Sequence, residues 1–143
     1  MKTCLITGAS GFVGRQLASA LQQALDPWQL RLVGRSTDRL TANAGATRHA
    51  ISTIDGNTDW SGLLQGVDVV VHAAARVHVL HDTATDALAL YRRTNTEGTL
   101  RLAQQAVAAG VRRMVFLSTI GIHGGGQDHP YQETDTPAPH SPY

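Results

Sequence analysis

Three glycines at a spacing of three, Gly8, Gly11 and Gly14 in the stretch TGASGFVG, carry the clearest chemical pattern in the chain. A dinucleotide pyrophosphate needs a tight turn, a backbone it can approach with no Cβ in the way, and the positive end of a helix dipole. Glycines between the end of a strand and the start of a helix supply all three. The spacing is G-x-x-G-x-x-G, where many dehydrogenases have G-x-G-x-x-G; the plainer alternative is a tight strand-to-helix turn. Histidine is the other residue type with chemical potential. Among the seven histidines, His78 and His81 are spaced H-x-x-H, and His123, His129 and His140 fall near the end of the chain. No carboxylate or cysteine joins them at a ligand spacing, so no metal site is expected. Asp55, Asp59 and Asp68 read as turn and cap residues.

The glycine turn works only if a strand precedes it and a helix follows, and the flanking sequence predicts both. KTCLIT (2–7) is a short apolar, β-branched run ended by glycine. Residues 11–25 are helical in pattern, with Phe12, Leu17, Ala20, Leu21 and Leu25 near a 3.6 period and Asp26-Pro27 as the stop. Further strands are predicted at 29–34, 47–53, 67–75 and 112–119, with helices at 59–66 and 84–109. From Gly121 to Tyr143 glycines, prolines, histidines and acids dominate without a period, as in a long loop. Strands alternating with helices imply βαβ units, and continuous apolar strands fit a sheet covered on both faces. The expected fold is α/β, a doubly wound parallel sheet of about five strands.

Bulk properties narrow the function classes. The chain has 143 residues, 42% of them hydrophobic and 16% charged, the profile of one folded globular domain. A formal net charge of +1 gives no strong attraction to nucleic acid or an anionic membrane surface. The single Cys4 cannot form an intramolecular disulfide and reads as a buried strand residue. The N-terminus has one lysine and only a short apolar run before Gly8, so no signal peptide is expected, and no apolar stretch approaches the ~20 residues needed to span a membrane. A soluble cytoplasmic domain is expected.

At this level of detail TGASGFVG resembles the fingerprint of the extended short-chain dehydrogenase/reductases, the family of NAD(P)-dependent sugar-nucleotide epimerases and dehydratases such as UDP-glucose 4-epimerase. Four later stretches agree in order. GVDVVVHAAA (66–75) is similar to the family's fourth strand and the cofactor-lining loop after it. NTEGT (95–99) matches N-x-x-G-T on the long helix, and FLSTIGIHG (116–124) matches the fifth strand with its catalytic hydroxyl. PAPHSPY (137–143) matches the approach to the catalytic tyrosine. The resemblance covers the whole chain but only about the first half of the family's architecture, an NAD(P)-binding Rossmann domain (1–143) without the substrate-binding domain.

The resemblance implies roles residue by residue. Gly8, Ser10, Gly11, Phe12, Val13 and Gly14 would cradle the pyrophosphate, Phe12 and Val13 through backbone N–H groups. Ala73, Ala74 and Ala75 would line the nicotinamide ribose, and Asn95 would tie their loop to the long helix. Ser118 would touch the cofactor, Thr119 would hydrogen-bond the substrate hydroxyl, and Tyr143 would be the acid–base. Family members that use NAD usually end strand two with an acid for the ribose 2′-OH. Here Gly34 and then Arg35 occupy that place, so Arg35 either accepts a 2′-phosphate or stacks on adenine, leaving NAD and NADP both open. The adenine-contacting acid is also displaced: Thr53 and Ile54 align with it, and Asp55 comes two positions late. Ile54 is placed beside the cofactor on this alignment.

By the same resemblance, the implied chemistry is removal of a sugar hydroxyl proton by tyrosine while the nicotinamide takes a hydride, followed by reduction from the other face. A small-carbonyl reductase of the same family and a non-catalytic NAD(P)-sensing module are the alternatives. The family's tyrosine starts a Y-x-x-x-K helix, and the chain stops at Tyr143 before the lysine position. Alone it is therefore expected to be inactive. Either it is part of a longer polypeptide or it pairs with a copy of itself; a homodimer and a nucleotide-sugar substrate are the expected partners.

Overall fold

A computed structural model describes residues 1–26, 28–41, 45–77, 86–126 and 128–143. Five strands form one sheet: β1 (Thr3–Thr7), β2 (Gln29–Gly34), β3 (Ala46–Ala50), β4 (Val69–His72) and β5 (Arg113–Phe116). Their order is β3-β2-β1-β4-β5, and every pairing is parallel. The chain winds outward from β1 in one direction and then crosses back to place β4 on its other side. Ligands of such sheets bind outside the carboxyl ends of the strands at that reversal, which here lies between β1 and β4.

Alternate residues of each strand feed two apolar layers, one on each face. Cys4, Ile6, Leu30, Leu32 and Val71 pack with Ala18, Leu17 and Leu21 of helix α1 (Phe12–Gln22). Leu5, Val33 and Val70 pack on the opposite face with Trp60, Leu64 of α2 (Ser61–Leu64) and Leu102 and Ala106 of α4 (Gly98–Ala108). Burial on both faces explains why the strands read as continuous apolar runs. The doubly wound parallel architecture expected from the sequence is the one observed. Cys4 is 1% exposed, and burial raises its thiol pKa to about 11.

Strand lengths are set by the ladder. β4 stops at His72 because its partners stop there: Thr7 ends β1 and Phe116 ends β5, both in register with His72. Ala73–Ala75 and Leu117–Thr119, predicted as strand, therefore leave the sheet. β3 likewise ends at Ala50, opposite the last residue of β2, Gly34. Helix α1 is shorter than the 11–25 pattern. Its buried stripe runs through Gly14, Leu17, Ala18 and Leu21, whereas Phe12 and Leu25 are 77% and 107% exposed. The helix closes at Gln22, ahead of the Asp26-Pro27 stop, and Pro27 lies outside the described residues.

The long helix expected over 84–109 is described from residue 86 onward and has three parts. α3 (Ala87–Tyr91) is capped by Asp86, a π-helical turn follows at Arg92–Glu97, and α4 completes it. The final stretch is more ordered than a plain loop. A 3₁₀ helix, Ile120–His123, starts at Thr119, Ala138 N–H donates to Ile122 O at 2.8 Å, and the His123 and Tyr131 rings stack 5.2 Å apart. No helix among the described residues is long and apolar enough to cross a membrane.

Candidate dinucleotide site

The turn after β1 is built against the loop after β4. Gly8 has φ +66°, and a Cβ there would lie 2.7 Å from both Ala73 C and Ala74 N. Only a residue without a side chain lets these two backbones touch. Gly14 is equally constrained, because a Cβ would collide with Gly8 O and stand 2.8 Å from Ala9 Cα. Gly11 is looser, its Cβ position meeting only Gly8 O at 3.1 Å, and its N–H closes the turn onto Gly8 O at 2.9 Å. α1 then starts with no side-chain cap and no acid in its first turn. Its leading N–H groups, which have no intrahelical acceptor, are left to an outside partner. Phe12 and Val13 side chains are exposed there. Ser10 lies beside the end of β2, its Oγ 3.4 Å from where a Gly34 Cβ would be.

The loop after β4 is held at successive points. Ala74 N–H donates to Thr7 Oγ1 at 3.2 Å, and Arg76 N–H donates to Asn95 Oδ1 at 2.7 Å. Asn95 Nδ2 donates back to Arg76 O at 2.9 Å, and the Tyr91 hydroxyl donates to Val77 O at 3.0 Å. Asn95 lies in the π turn, whose wider spiral changes the facing of side chains relative to an α-helix. Ala73, Ala74 and Ala75 thus form a fixed ledge of small residues beside the glycine turn.

The other sequence-assigned residues fall around this centre. Arg35 is exposed and follows Gly34 at the carboxyl end of β2. Ile54 is half-buried against the α2–α4 layer. Ser118 and Thr119 follow β5, and Thr119 Oγ1 accepts from Gly121 N–H at 3.2 Å as the cap of the 3₁₀ helix. That bond leaves the hydroxyl's proton and second lone pair for other partners. The Tyr143 ring stands 6.3 Å from that of Tyr91, the residue that holds Val77.

Two features escaped the sequence reading. Asp55 is more than a turn residue: besides receiving Asn57 N–H at 2.9 Å, it pairs with Arg93 at 2.8 Å. The Arg93 guanidinium, followed by the Asn57 N–H, holds its carboxyl below the usual carboxylate range. Nothing in the spacing of 55 and 93 signals that pair. His72 is the second, joined to Thr7 and Thr99; a lone polar residue ending an apolar strand was the available signal. Asp59 acts locally, receiving the Ser61 N–H, whereas Asp68, read as a turn or cap residue, receives the N–H of Thr3 at the start of β1, 65 residues away. Among the described residues no group of three or more His, Cys, Asp or Glu could hold a metal, and His78 and His81 lie outside them.

A dinucleotide fits the residues present. Gly8 and Gly14 let the turn close on the neighbouring backbones, a Cβ at Gly11 would meet only the Gly8 carbonyl oxygen, the helix start is uncapped and free of acids, and the adjoining ledge is small. Sheet order, the reversal between β1 and β4 and this turn define a Rossmann-type α/β domain. The chain belongs to the NAD dependent epimerase/dehydratase family, whose model matches residues 4–143.

It is 37% identical over 145 residues to a UDP-glucose 4-epimerase of Vibrio cholerae, covering 99% of this chain and 43% of that protein. The solved structure of MoeE5 in complex with UDP-glucuronic acid and NAD superposes with a TM-score of 0.82 at 29% identity, over 99% of this chain and 44% of that one. UDP-glucuronic acid 4-epimerase from Bacillus cereus in complex with NAD gives 0.80 at 26% identity, over 99% and 47%. The chain thus spans less than half the length of these relatives.

Proposed function

We propose that residues 1–143 are the amino-terminal, NAD(P)-binding part of a nucleotide-sugar epimerase or dehydratase that works as a cytoplasmic homodimer. The observation that carries this reading is the contact of the Gly8 turn with the Ala73–Ala74 backbone, which sets a phosphate cradle beside a small-residue ledge. Family membership and relatives solved with NAD support it. Gly8, Ser10, Gly11, Phe12, Val13 and Gly14 would hold the pyrophosphate, with Ala73, Ala74, Ala75, Asn95 and Ser118 on the nicotinamide side and Arg35 and Ile54 at the adenosine end. When bound, the nicotinamide supplies a hydride acceptor and donor.

The chain's own part is positioning and proton transfer. Thr119 would orient a sugar hydroxyl, and Tyr143 would take and return its proton. A free phenol titrates near ~10, so this role needs positive charge beside it in the full site. The homodimer reading is supported by Leu100 and Val107 on the outer side of α4, 57% and 79% exposed. Calorimetric titration with NAD and NADP, together with conversion of UDP-glucose to UDP-galactose by the whole protein, tests the proposal. Micromolar binding and epimerisation are expected. Absence of dinucleotide binding would refute it, reduction of small carbonyls without epimerisation would move it to a reductase, and a monomer by light scattering would remove the dimer.

A further inference from the structure

Thr7, His72 and Thr99 form a chain of polar side chains within an otherwise apolar layer. Thr7 and His72 are 0% and 1% exposed and are register partners on β1 and β4. Thr7 Oγ1 lies 2.6 Å from His72 Nδ1, and His72 Nε2 lies 3.0 Å from Thr99 Oγ1 on α4. The same Thr7 Oγ1 receives the Ala74 N–H at 3.2 Å. Phe116, the register partner of His72 on β5, stacks on the imidazole at 6.0 Å between centroids.

Proton counting orders this chain. A threonine hydroxyl has one proton and two lone pairs, and neutral imidazole has one donor and one acceptor nitrogen. Were the imidazole proton on Nδ1, Thr7 would accept from both Nδ1 and Ala74, and its own proton would lack an acceptor among these contacts. With the proton on Nε2, Thr7 donates to Nδ1, accepts from Ala74, and Nε2–H donates to Thr99. Each arrangement leaves one hydroxyl proton without an acceptor among these contacts, Thr7's in the first and Thr99's in the second. Thr7 is 0% exposed whereas Thr99 is only half-buried, so the second is favoured, because an unmade donor costs most where water cannot reach it.

We propose that His72 is a positioning residue: protonated on Nε2, it turns the Thr7 hydroxyl so that a lone pair meets the Ala74 N–H, and so fixes the Ala73–Ala75 ledge against the dinucleotide. The proposal rests on the dinucleotide reading above. A histidine that merely filled space in the core would contribute stability without setting this proton order.

The test combines nitrogen NMR of the imidazole, exchange of the Ala74 amide and NAD titration, on the protein and on Thr99→Val and Thr99→Ser. The expected wild-type result is a single tautomer with the proton on Nε2 and a protected Ala74 amide, both read without nucleotide. Thr99→Val removes the acceptor of Nε2–H, so tautomers should mix, Ala74 should exchange faster and NAD affinity should fall roughly 3- to 10-fold, about the worth of one hydrogen bond. Thr99→Ser should restore all three. A wild-type proton on Nδ1 overturns the proposal whatever NAD does. So does a Thr99→Val protein with mixed tautomers and unchanged NAD affinity. A wild type with the expected tautomer that binds neither NAD nor NADP instead overturns the dinucleotide reading and, with it, the link from His72 to the cofactor.

Discussion

Asn95 grips Arg76 by both sides of its backbone: its Oδ1 receives the Arg76 N–H at 2.7 Å and its Nδ2 donates to Arg76 O at 2.9 Å. A helix side chain here satisfies a donor and an acceptor of a chain segment that has just left the sheet and has no ladder. A side-chain amide offers both, side by side. Asn95→Leu should therefore destabilise the protein by roughly 1–3 kcal/mol, two hydrogen bonds to backbone, and weaken NAD binding through the loosened ledge. Asn95→Asp keeps the acceptor but sets a carboxylate oxygen against Arg76 O, acceptor to acceptor, so a comparable loss is expected in urea unfolding and in calorimetric titration. Equal, negligible losses in both variants would show that the clamp does not govern the loop.

Two glycines of the turn, Gly14 and Gly11, should separate folding from binding. Gly14→Ala places a Cβ against Gly8 O and Ala9 Cα, backbone atoms that cannot swing away. It should cost on the order of 1–3 kcal/mol, as overpacking does. Gly11→Val meets only one carbonyl oxygen, at 3.1 Å, and its backbone is an ordinary extended N-cap at φ −77°. That variant should unfold near the wild-type denaturant midpoint while losing most dinucleotide affinity, because the new side chain would stand where the proposed site takes the pyrophosphate. A Gly11→Val protein that binds NAD as tightly as wild type would remove the cradle from this turn.

Much of this was legible in the sequence because period and punctuation are local. The apolar runs of β1, β2 and β4, the glycine turn and the helix after it are each specified by a few adjacent residues. What was misread depends on partners elsewhere in the chain. That β4 stops at His72 rather than continuing through Ala75 follows from where β1 and β5 end, which no run of alanines can report. The exposed Phe12 belongs to the 3.6 period but not to the buried face, since the helix start turns toward the strand ends. The Asp55–Arg93 pair and the Thr7–His72–Thr99 chain join residues far apart in sequence. Such couplings exist only once the sheet order is known.

Cofactor choice should turn on Arg35. The end of β2 carries no carboxylate that would bond a ribose 2′-OH, and Arg35 is exposed there. If its guanidinium takes a 2′-phosphate, Arg35→Ala loses a charge-assisted bond of roughly 1.5–3 kcal/mol, a drop of about 10- to 150-fold for NADP with little change for NAD. High salt should narrow the gap between the two cofactors in the wild type. Titrations in which both cofactors weaken alike would place Arg35 on the adenine face instead.

His72 should leave a signature in the acid stability of the protein. Burial lowers its pKa from the ordinary 6.5 to about 4, with Thr7, Thr99 and the Phe116 ring as its neighbours. The unfolded chain therefore binds a proton at His72 near 6.5 and the folded chain does not until about 4. Between those values the unfolded state holds more protons, so stability rises with pH and is lost as pH falls, by about 3 kcal/mol across the window. His49, lowered by burial and by Arg31, adds in the same direction. Asp55 acts lower: its carboxyl is held below its ordinary 3.8, so the Arg93 pair stabilises above that value and fails only as pH drops further. Urea unfolding midpoints followed from pH 7 to pH 4 should fall steeply in the wild type. In His72→Gln, less stable at pH 7 but without the titrating ring, the slope over that range should flatten to the share of His49. An unchanged slope in the variant would mean that His72 is protonated in the folded protein, and that the polar chain through Thr7 and Thr99 is not built as described.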